Sequence, residues 1–300
     1  MSAIYCGMDA TKFLDFECVT LENAAISLLV TQSVGPRIIS LRFRGGNNLF
    51  AVLPDLVVER PDGKPFHFHG GHRLWYAPEH IRTYEPDDQP VTVIPADNSI
   101  SIVQHSPTQA GIDKAIRVSL VKDEPRVIVH HTLINCNLWD VELAPWAITP
   151  FRTGGVAILP QSQQQTEFLP NRSMALWQYT DPGCPQVSWG KNYILIRADM
   201  NAPFKIGYPN PRSWLAYWLD GTLFVKHADF NTHSAYCDFG SSSEVYCNDQ
   251  FLELETLAPI TKLAPGEAVT HVETWELFEG IDCPIDENAT QKIVRKLRLN

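Results

Sequence analysis

Residues 251–277 read FLELETLAPITKLAPGEAVTHVETWEL, and the first seven of them, FLELETL, indicate the fold class. Successive side chains of a strand point to opposite faces, so Glu253 and Glu255 share one face while Leu252 and Leu254 share the other. Two carboxylates this close raise each other's pKa. A strand tolerates such a pair where a carboxylate serves as an acid, a base or an acceptor for a polar ligand. A solvated outer face with arginine partners is the alternative interpretation, and the spacing leaves both open.

Short β-branched and aromatic runs, separated by Gly, Pro, Asn and Asp, are found along most of the chain. Such runs predict strands, here at residues 25–31, 37–43, 99–104, 114–122, 126–135, 141–149, 156–159, 193–198, 214–219, 223–227, 244–247, 251–257 and 268–279. One helix is predicted at residues 286–300, where Asp286 or Asn288 provides the N-cap before an apolar stripe. The sequence therefore predicts an all-β sandwich or barrel with few short helices.

Composition limits the domain count and the class of partner. The 300 residues are 44% hydrophobic and 19% charged, which indicates a well-filled core. No linker-like shift in composition and no internal repeat interrupts them, so we expect a single domain over residues 1–300. The formal charge of −10 argues against nucleic acid or an anionic membrane as a partner, and it is compatible with a small neutral ligand such as a sugar.

The cysteines and the first thirty residues predict a cytoplasmic location. The seven cysteines are scattered, odd in number and never in a C-x-x-C pair, which favours reduced thiols over a disulfide framework. The start of the chain is acidic and lacks the basic and apolar regions of a signal peptide. No apolar run approaches the roughly 20 residues that a membrane helix needs.

Residues 67–88, HFHGGHRLWYAPEHIRTYEPDD, form a second cluster of polar and aromatic side chains. They lie in one of two long stretches, residues 54–90 and 160–192, that we predict to be irregular and ordered over a site. The pair His67 and His69, with His72, has a spacing that can bind a metal. Arg73 follows where a cupin would place its carboxylate ligand, which argues against that interpretation. The other interpretation is a ligand rim with Arg73 as donor and Trp75 as apolar platform.

Four segments, in their order and spacing, resemble the galactose mutarotase-like superfamily, which contains the aldose 1-epimerases. They are Gly35-Pro36-Arg37-Ile38-Ile39-Ser40-Leu41, Leu133-Ile134-Asn135 followed by Trp139, Leu254-Glu255-Thr256, and Leu263-Ala264-Pro265-Gly266-Glu267 followed by His271. GGHRLW at residues 70–75 and PWAIT at residues 145–149 resemble an uncharacterised branch of that superfamily. The resemblance implies an antiparallel β supersandwich.

The resemblance also implies a mechanism that interconverts sugar anomers. Glu255 would take the proton from the anomeric hydroxyl while a histidine protonates the ring oxygen, so that the ring opens, rotates and closes again. The position of the family's histidine holds Cys136 here, and a neutral thiol is a poor proton donor. We therefore expect another histidine to be the acid, His72 before His227.

The remaining predicted site residues would contact the sugar; they are Arg73, Trp75, Glu79, Tyr84, Glu244, Tyr246 and Glu253. No cofactor and no bound metal is predicted, and the oligomeric state is left open. Three alternatives to the epimerase remain. One is a sugar-binding module without turnover, which Cys136 favours. The second is a hydrolase or lyase on the same scaffold, and the third is a metal-dependent enzyme using His67, His69 and His72.

Overall fold

The computed structural model describes residues 9–104 and 110–299, which form two large antiparallel sheets and a two-stranded hairpin. The first sheet contains, in spatial order, β1 (Ala10–Phe13), β2 (Phe16–Glu22), β3 (Ile26–Thr31), β4 (Arg37–Phe43), β7 (His72–Ala77), β12 (Val141–Arg152), β21 (Phe251–Leu257), β20 (Ser243–Cys247), β17 (Phe204–Tyr208) and β14 (Ala175–Leu176), with β22 (Thr261–Leu263) paired to β12. This order makes β7, β12, β21, β20 and β17 adjacent strands.

The second sheet contains β15 (Val187–Trp189), β16 (Tyr193–Arg197), β13 (Val156–Pro160), β18 (Trp214–Leu219), β19 (Thr222–His227), β23 (Ala268–Phe278), β11 (Arg126–Asn135), β10 (Ile112–Leu120), β9 (Ser99–Gln104) and β8 (Thr92–Ala96). The hairpin pairs β5 (Val52–Glu59) with β6 (Pro65–Gly70). The helical segments are a 3₁₀ turn (Ile81–Tyr84), the irregular α1 (Cys237–Gly240) and α2 (Glu287–Leu297). The predicted antiparallel all-β sandwich with few short helices is confirmed.

The main core lies between the two sheets, and the side chains of β21 point alternately into this core and away from it. Leu252 and Leu254 are fully buried in that core, whereas Phe251 and Leu257 belong to a second apolar cluster on the other side of the first sheet. We call this other side the outer face. The hairpin covers part of it, with the ring of Phe68 stacked 4.6 Å from that of Phe251. The central strands of the first sheet are therefore covered on both faces.

The predicted boundaries hold for β21, and the predicted start holds for the C-terminal helix, which ends at Leu297 and not at residue 300; the prediction for residues 54–90 is wrong. In α2 the Asp286 side chain accepts a hydrogen bond of 2.8 Å from the Ala289 amide, as its predicted N-cap role requires. Residues 54–90 were predicted to be irregular, yet they include most of β5 and all of β6 and β7. At the end of β6 and just before β7 the backbone passes through three positive φ angles, at His69, Gly70 and Gly71. Because this turn separates β6 from β7, the side chains of residues 65–77 do not alternate between the two faces in one unbroken pattern.

Two further features concern the helices and the cysteines. No helix in the described ranges is long and apolar enough to cross a membrane. Each cysteine that the structure describes is a free thiol, and Cys6 lies outside the described residues.

Candidate functional site

A pocket of about 520 Å³ opens on the outer face of the first sheet. Strands β7, β12, β21, β20 and β17 form its floor, the hairpin and the 3₁₀ turn form one wall, and part of residues 160–192 forms another. The lining residues are Val58, Phe66, Phe68, Arg73, Trp75, Glu79, Tyr84, Trp146, Ile148, Trp177, Tyr179, Pro203, Lys205, Tyr246, Phe251 and Glu253. Both of the long stretches predicted to border a site thus contribute to the pocket.

Arg73 and Glu253 form an ion pair in the floor. Arg73 NH2 lies 3.0 Å from Glu253 Oε1, and both side chains are almost fully buried. The guanidinium lies 4.5 Å from the ring centre of Phe68 and 4.7 Å from that of Trp75, distances at which cation–π attraction is effective. Within the described part of the chain, Arg73 Nε, Arg73 NH1 and Trp75 Nε1 are buried without a hydrogen-bond partner. The floor thus presents unused donors.

The carboxyl group of Glu253 titrates near neutrality. Burial raises its pKa, Arg73 lowers it and the neighbouring Glu255 raises it, so that the pKa of Glu253 comes to about 7. A carboxyl with this pKa exists in both protonation states at physiological pH. Glu253 was predicted to contact the sugar, and its place in the floor is compatible with that role.

Lys205 occupies the neighbouring part of the floor and holds Glu255 in place. Its Nζ lies 3.0 Å from Glu255 Oε2 and 2.8 Å from Glu244 Oε2, and 4.6 Å and 4.7 Å from the ring centres of Trp146 and Trp177. The Trp146 indole N–H donates to the same oxygen of Glu255 at 2.7 Å. Burial acts to lower the pKa of Lys205, but Glu255 and Glu244 offset this and hold it well above its usual value.

Glu255 therefore lies beneath the pocket and not on its surface. Its side chain is 1% exposed, and it is absent from the pocket lining. Glu244, predicted as a sugar contact, is likewise buried, and burial raises its pKa well above the usual value. Of the two glutamates of β21, Glu253 reaches the pocket.

The structure does not bring His72 to Glu255. His72 alternates with Arg73 along β7, so its ring points away from the outer face into the space between the sheets. There His72 Nδ1 lies 2.8 Å from Thr149 Oγ1, and His72 Nε2 lies 2.6 Å from His131 Nε2. The ring is fully buried. An acid in this position has no access to a ligand in the pocket, which corrects the predicted acid–base geometry.

The other histidine predictions also fail to converge on the pocket. His227 Nε2 pairs with Glu276 at 3.0 Å, on the second sheet. His67 and His69 stack on β6 with ring centres 5.9 Å apart, and His72 lies elsewhere, so the three do not form a metal site. Cys136 is exposed and absent from the pocket lining.

Between the sheets, Lys226 is the cation of a buried polar network. It is fully buried, and its Nζ donates to Thr149 Oγ1 at 2.7 Å, to the Leu254 carbonyl oxygen at 3.1 Å and to Glu273 Oε1, which lies 2.9 Å away. An ammonium has three hydrogens, and these three acceptors use all of them. Burial acts to raise the pKa of Glu273, but Lys226 and the nearby histidines lower it below its usual value.

The His271 carbonyl oxygen sets the proton positions on the buried histidines, because a carbonyl can only accept. His131 Nδ1–H donates to it at 3.1 Å, so in a neutral ring His131 Nε2 is the acceptor and His72 Nε2–H donates to it. His72 Nδ1 is then the acceptor of its own neutral ring, and the Thr149 hydroxyl donates to it while accepting from Lys226. Each ring is neutral in this arrangement. Burial accordingly lowers the pKa of His72 well below 6.5, that of His131 to about 3 and that of His271 to about 4.

The same network includes a set of potential metal ligands. The ring nitrogens of His72 and His131 and a carboxylate oxygen of Glu273 lie within 4.8 Å of one another. Lys226 already supplies the positive charge beside Glu273, and both histidines have hydrogen-bond partners. A metal ion here would have to displace or neutralise the ammonium, so these residues fit a hydrogen-bond network better than a metal centre.

The rim contains residues that were predicted and residues that were not. Tyr84 donates a hydrogen bond to Glu79 on one wall, and Tyr246 lines the floor; the contact of these three residues with a sugar stays a prediction. Trp177 and Tyr179 on the opposite wall were not singled out, although their W-x-Y spacing in a long loop was a signal. Lys205 was missed because residues 204–208, FKIGY, were not predicted as a strand.

Comparisons with solved structures place this architecture among known folds. A TPR-domain-containing protein from Parabacteroides distasonis matches with a TM-score of 0.62 and 14% identity over 91% of this chain, which spans about half (49%) of that protein. A putative mutarotase from Salmonella typhimurium matches with a TM-score of 0.58 and 9% identity over 93% of this chain and 96% of its own. A galactose mutarotase-like protein from Lactobacillus casei matches with a TM-score of 0.56 and 12% identity over 87% of this chain and all (100%) of its own.

No family model and no curated protein sequence matches the chain. The structural likenesses, at identities this low, define the class of fold. The chain has the galactose mutarotase-like β-sandwich fold, which is shared by proteins described as putative mutarotases and aldose 1-epimerases. Function depends on the side chains of the site and not on the fold.

Proposed function

We propose that the pocket on the outer face binds a carbohydrate of about monosaccharide size. The observation that carries the proposal is the combination of aromatic walls with a charged floor. Trp177 and Tyr179 face the pocket from one side and Tyr84 from the other, with Arg73 and Glu253 below. The apolar C–H face of a sugar ring packs on aromatic rings, while its hydroxyls pair with charged donors and acceptors. The cavity of about 520 Å³ lies within the roughly 300–1,000 Å³ of small-molecule sites.

Binding is tested by calorimetry or ligand-observed NMR with a panel of hexoses, comparing wild type with Trp177→Ala. We expect binding to weaken about tenfold, because removing one aromatic wall costs about 1–2 kcal/mol of apolar contact. Trp189→Ala is the matched control, since Trp189 is 45% exposed in β15 and is absent from the pocket lining. Equal losses in both variants, or no binding of any neutral or acidic hexose by the wild type, would reject the proposal.

A second candidate function is the interconversion of sugar anomers, and one observation favours it. Burial raises the pKa of Glu253 to about 7, with Arg73 acting in the opposite direction, and Glu253 reaches the pocket. We infer that Glu253, in place of Glu255, takes the proton from the anomeric hydroxyl. As the bond between the anomeric carbon and the ring oxygen breaks, Glu253 returns that proton to the ring oxygen, and the ammonium of Lys205, which lines the same pocket, is the candidate group for stabilising this oxygen by a hydrogen bond. As part of this second candidate function, we propose that the chain belongs to the uncharacterised branch of the galactose mutarotase-like superfamily that contains GGHRLW.

Turnover is tested by measuring anomer exchange by NMR for wild type, Glu253→Gln and Glu255→Gln. General acid–base catalysis supplies about 10²–10⁴-fold, so we expect Glu253→Gln to slow exchange by that factor. Glu255→Gln is the matched comparison on the same strand and should slow exchange less, because Glu255 is not on the pocket surface. If Glu253→Gln exchanges anomers at the wild-type rate, the catalytic role is excluded and carbohydrate binding alone remains.

A further inference from the structure

The floor of the pocket contains donors that no part of the described chain uses. Arg73 and Trp75 are each more than nine-tenths buried and line the cavity. Arg73 Nε, Arg73 NH1 and Trp75 Nε1 have no hydrogen-bond partner among the described residues. A buried donor without an acceptor destabilises the folded protein, so a ligand that supplies acceptors here removes that penalty.

The chemistry of these donors selects the acceptor. A guanidinium has five N–H groups in a rigid fork that matches the paired oxygens of a carboxylate, and charge-assisted hydrogen bonds of this kind are about twice as strong as neutral ones. Arg73 is also held in one orientation between the rings of Phe68 and Trp75. Lys205, in contrast, is already paired with two carboxylates. Arg73 is therefore the cation in this floor with donors to spare.

We propose that the natural ligand is a sugar acid, and that its carboxylate binds to the unpaired N–H groups of Arg73 beside the indole N–H of Trp75. This inference rests on the proposed carbohydrate site and narrows it to an anionic sugar. Arg73 then pairs with two carboxylates, that of the ligand and that of Glu253. Protonation of Glu253 releases Arg73 for the ligand and removes a repulsion between like charges.

The groups that face Glu253 support this exchange of partners. Arg73 is its ion-pair partner, Glu255 lies two residues away on the same face, Tyr246 is its neighbour on β20, and Lys205 acts on it from β17. Burial raises the pKa of Glu253 to about 7 and Arg73 counteracts this, so a ligand carboxylate beside it raises that pKa further. Binding of the acid is therefore expected to take up a proton and to strengthen as the pH falls from 8 to 6.

The test compares sugars that differ only at carbon 6. Calorimetry measures binding of glucuronate and galacturonate against glucose and galactose, with the two hexose 6-phosphates as a third arm. Hydrogen bonds to a charged group contribute about 1.5–3 kcal/mol, so we expect each acid to bind about 10- to 100-fold more tightly than its neutral counterpart. Equal binding of acid and neutral sugar overturns this inference and leaves the proposed function standing. Binding of neither overturns both. Tighter binding of a 6-phosphate than of the acid overturns the assignment to a carboxylate.

Variants test the role of Arg73 directly. Arg73→Lys keeps the positive charge but loses the forked N–H groups of the guanidinium. The double variant Arg73→Met with Glu253→Gln removes both charges of the ion pair, so that neither charge is left buried without its partner. We expect both variants to reduce the ratio of acid to neutral affinity towards one. Arg126→Met is the matched control, because Arg126 pairs with Glu276 on the second sheet, and it should keep the wild-type ratio.

In wild type the affinity for the acid should decrease from pH 6 to pH 8. In Glu253→Gln, which does not titrate in this range, we expect the same affinity to be nearly constant. If the double variant keeps the wild-type ratio of acid to neutral affinity, or if Glu253→Gln keeps the wild-type pH profile, Arg73 and Glu253 do not recognise the carboxylate of the ligand.

Discussion

Lys226→Met is the substitution that most directly tests the network between the sheets. Lys226 is fully buried and donates to Thr149 Oγ1, to the Leu254 carbonyl oxygen and to Glu273. Methionine keeps the unbranched chain and is shorter only by the terminal nitrogen, so the expected loss comes mainly from the missing charge and hydrogen bonds. Removing one partner of a buried ion pair costs about 3–5 kcal/mol, because the remaining charge is left without compensation. Two further acceptors lose their donor in the same substitution. We therefore expect the free energy of unfolding to fall by at least about 3 kcal/mol.

Urea unfolding followed by tryptophan fluorescence measures this change, and the m-value checks that the variant unfolds in the same two-state manner. Lys296→Met, an exposed change in α2, is the control and should alter the free energy of unfolding by less than about 0.5 kcal/mol. The double variant Lys226→Met with Glu273→Gln should be more stable than Lys226→Met alone, because no charge is then buried. A loss below about 1 kcal/mol in Lys226→Met, or no recovery in the double variant, would refute the reasoning.

Two further predictions concern stability. The unfolded chain binds protons on His131 and His271 below pH 6.5, whereas burial keeps their pKa values at about 3 and 4 in the folded protein. The free energy of unfolding should therefore fall between pH 6.5 and 4.5. Burial also raises the pKa of Glu253 to about 7, so its contribution to stability is lost as pH rises from 4.5 through 7, at about 1.4 kcal/mol per unit and proton. Together these two effects predict that the free energy of unfolding is greatest at about pH 6.5–7. Urea unfolding at a series of pH values measures it, and a free energy of unfolding that increases steadily as the pH falls towards 5 would contradict the prediction. Gly71→Ala should lower the melting temperature more than Gly45→Ala. Both residues have positive φ, but a Cβ at Gly71 would lie 2.6 Å from a backbone carbonyl oxygen of β4, whereas a Cβ at Gly45 would contact nothing. Equal shifts in the two variants would show that the close approach is unimportant.

The fold was predictable where local patterns are strong. The alternation of residues 251–257 gives β21 and the shared face of Glu253 and Glu255, because a strand has a period of two regardless of its partners. Asp286 before an apolar stripe gives α2 with its cap. These features depend on neighbours in the sequence, and the structure confirms them.

The site was predictable only in part, because its partners come from distant segments. Glu255 is held by Lys205 from β17 while Glu253 meets Arg73 from β7, and nothing within β21 distinguishes the two carboxylates. His72 was an avoidable mistake. Arg73 was expected to face a ligand, and alternation along a strand would then have placed His72 on the opposite face. The prediction failed because the histidine-rich run was interpreted as a loop.

The pairing of β12 with β7 on one side and β21 on the other has a consequence for synthesis of the protein. The floor joins residues 72–77, 141–152 and 251–257, so a nascent chain lacks it until residues 251–257 have left the ribosome. Until then the apolar edge of β12 has no partner on one side and remains open to wrong pairing, the hazard of slow, non-local strand contacts. Products that stall or end before residue 251 are thus expected to lack the floor of the pocket and to depend on chaperones.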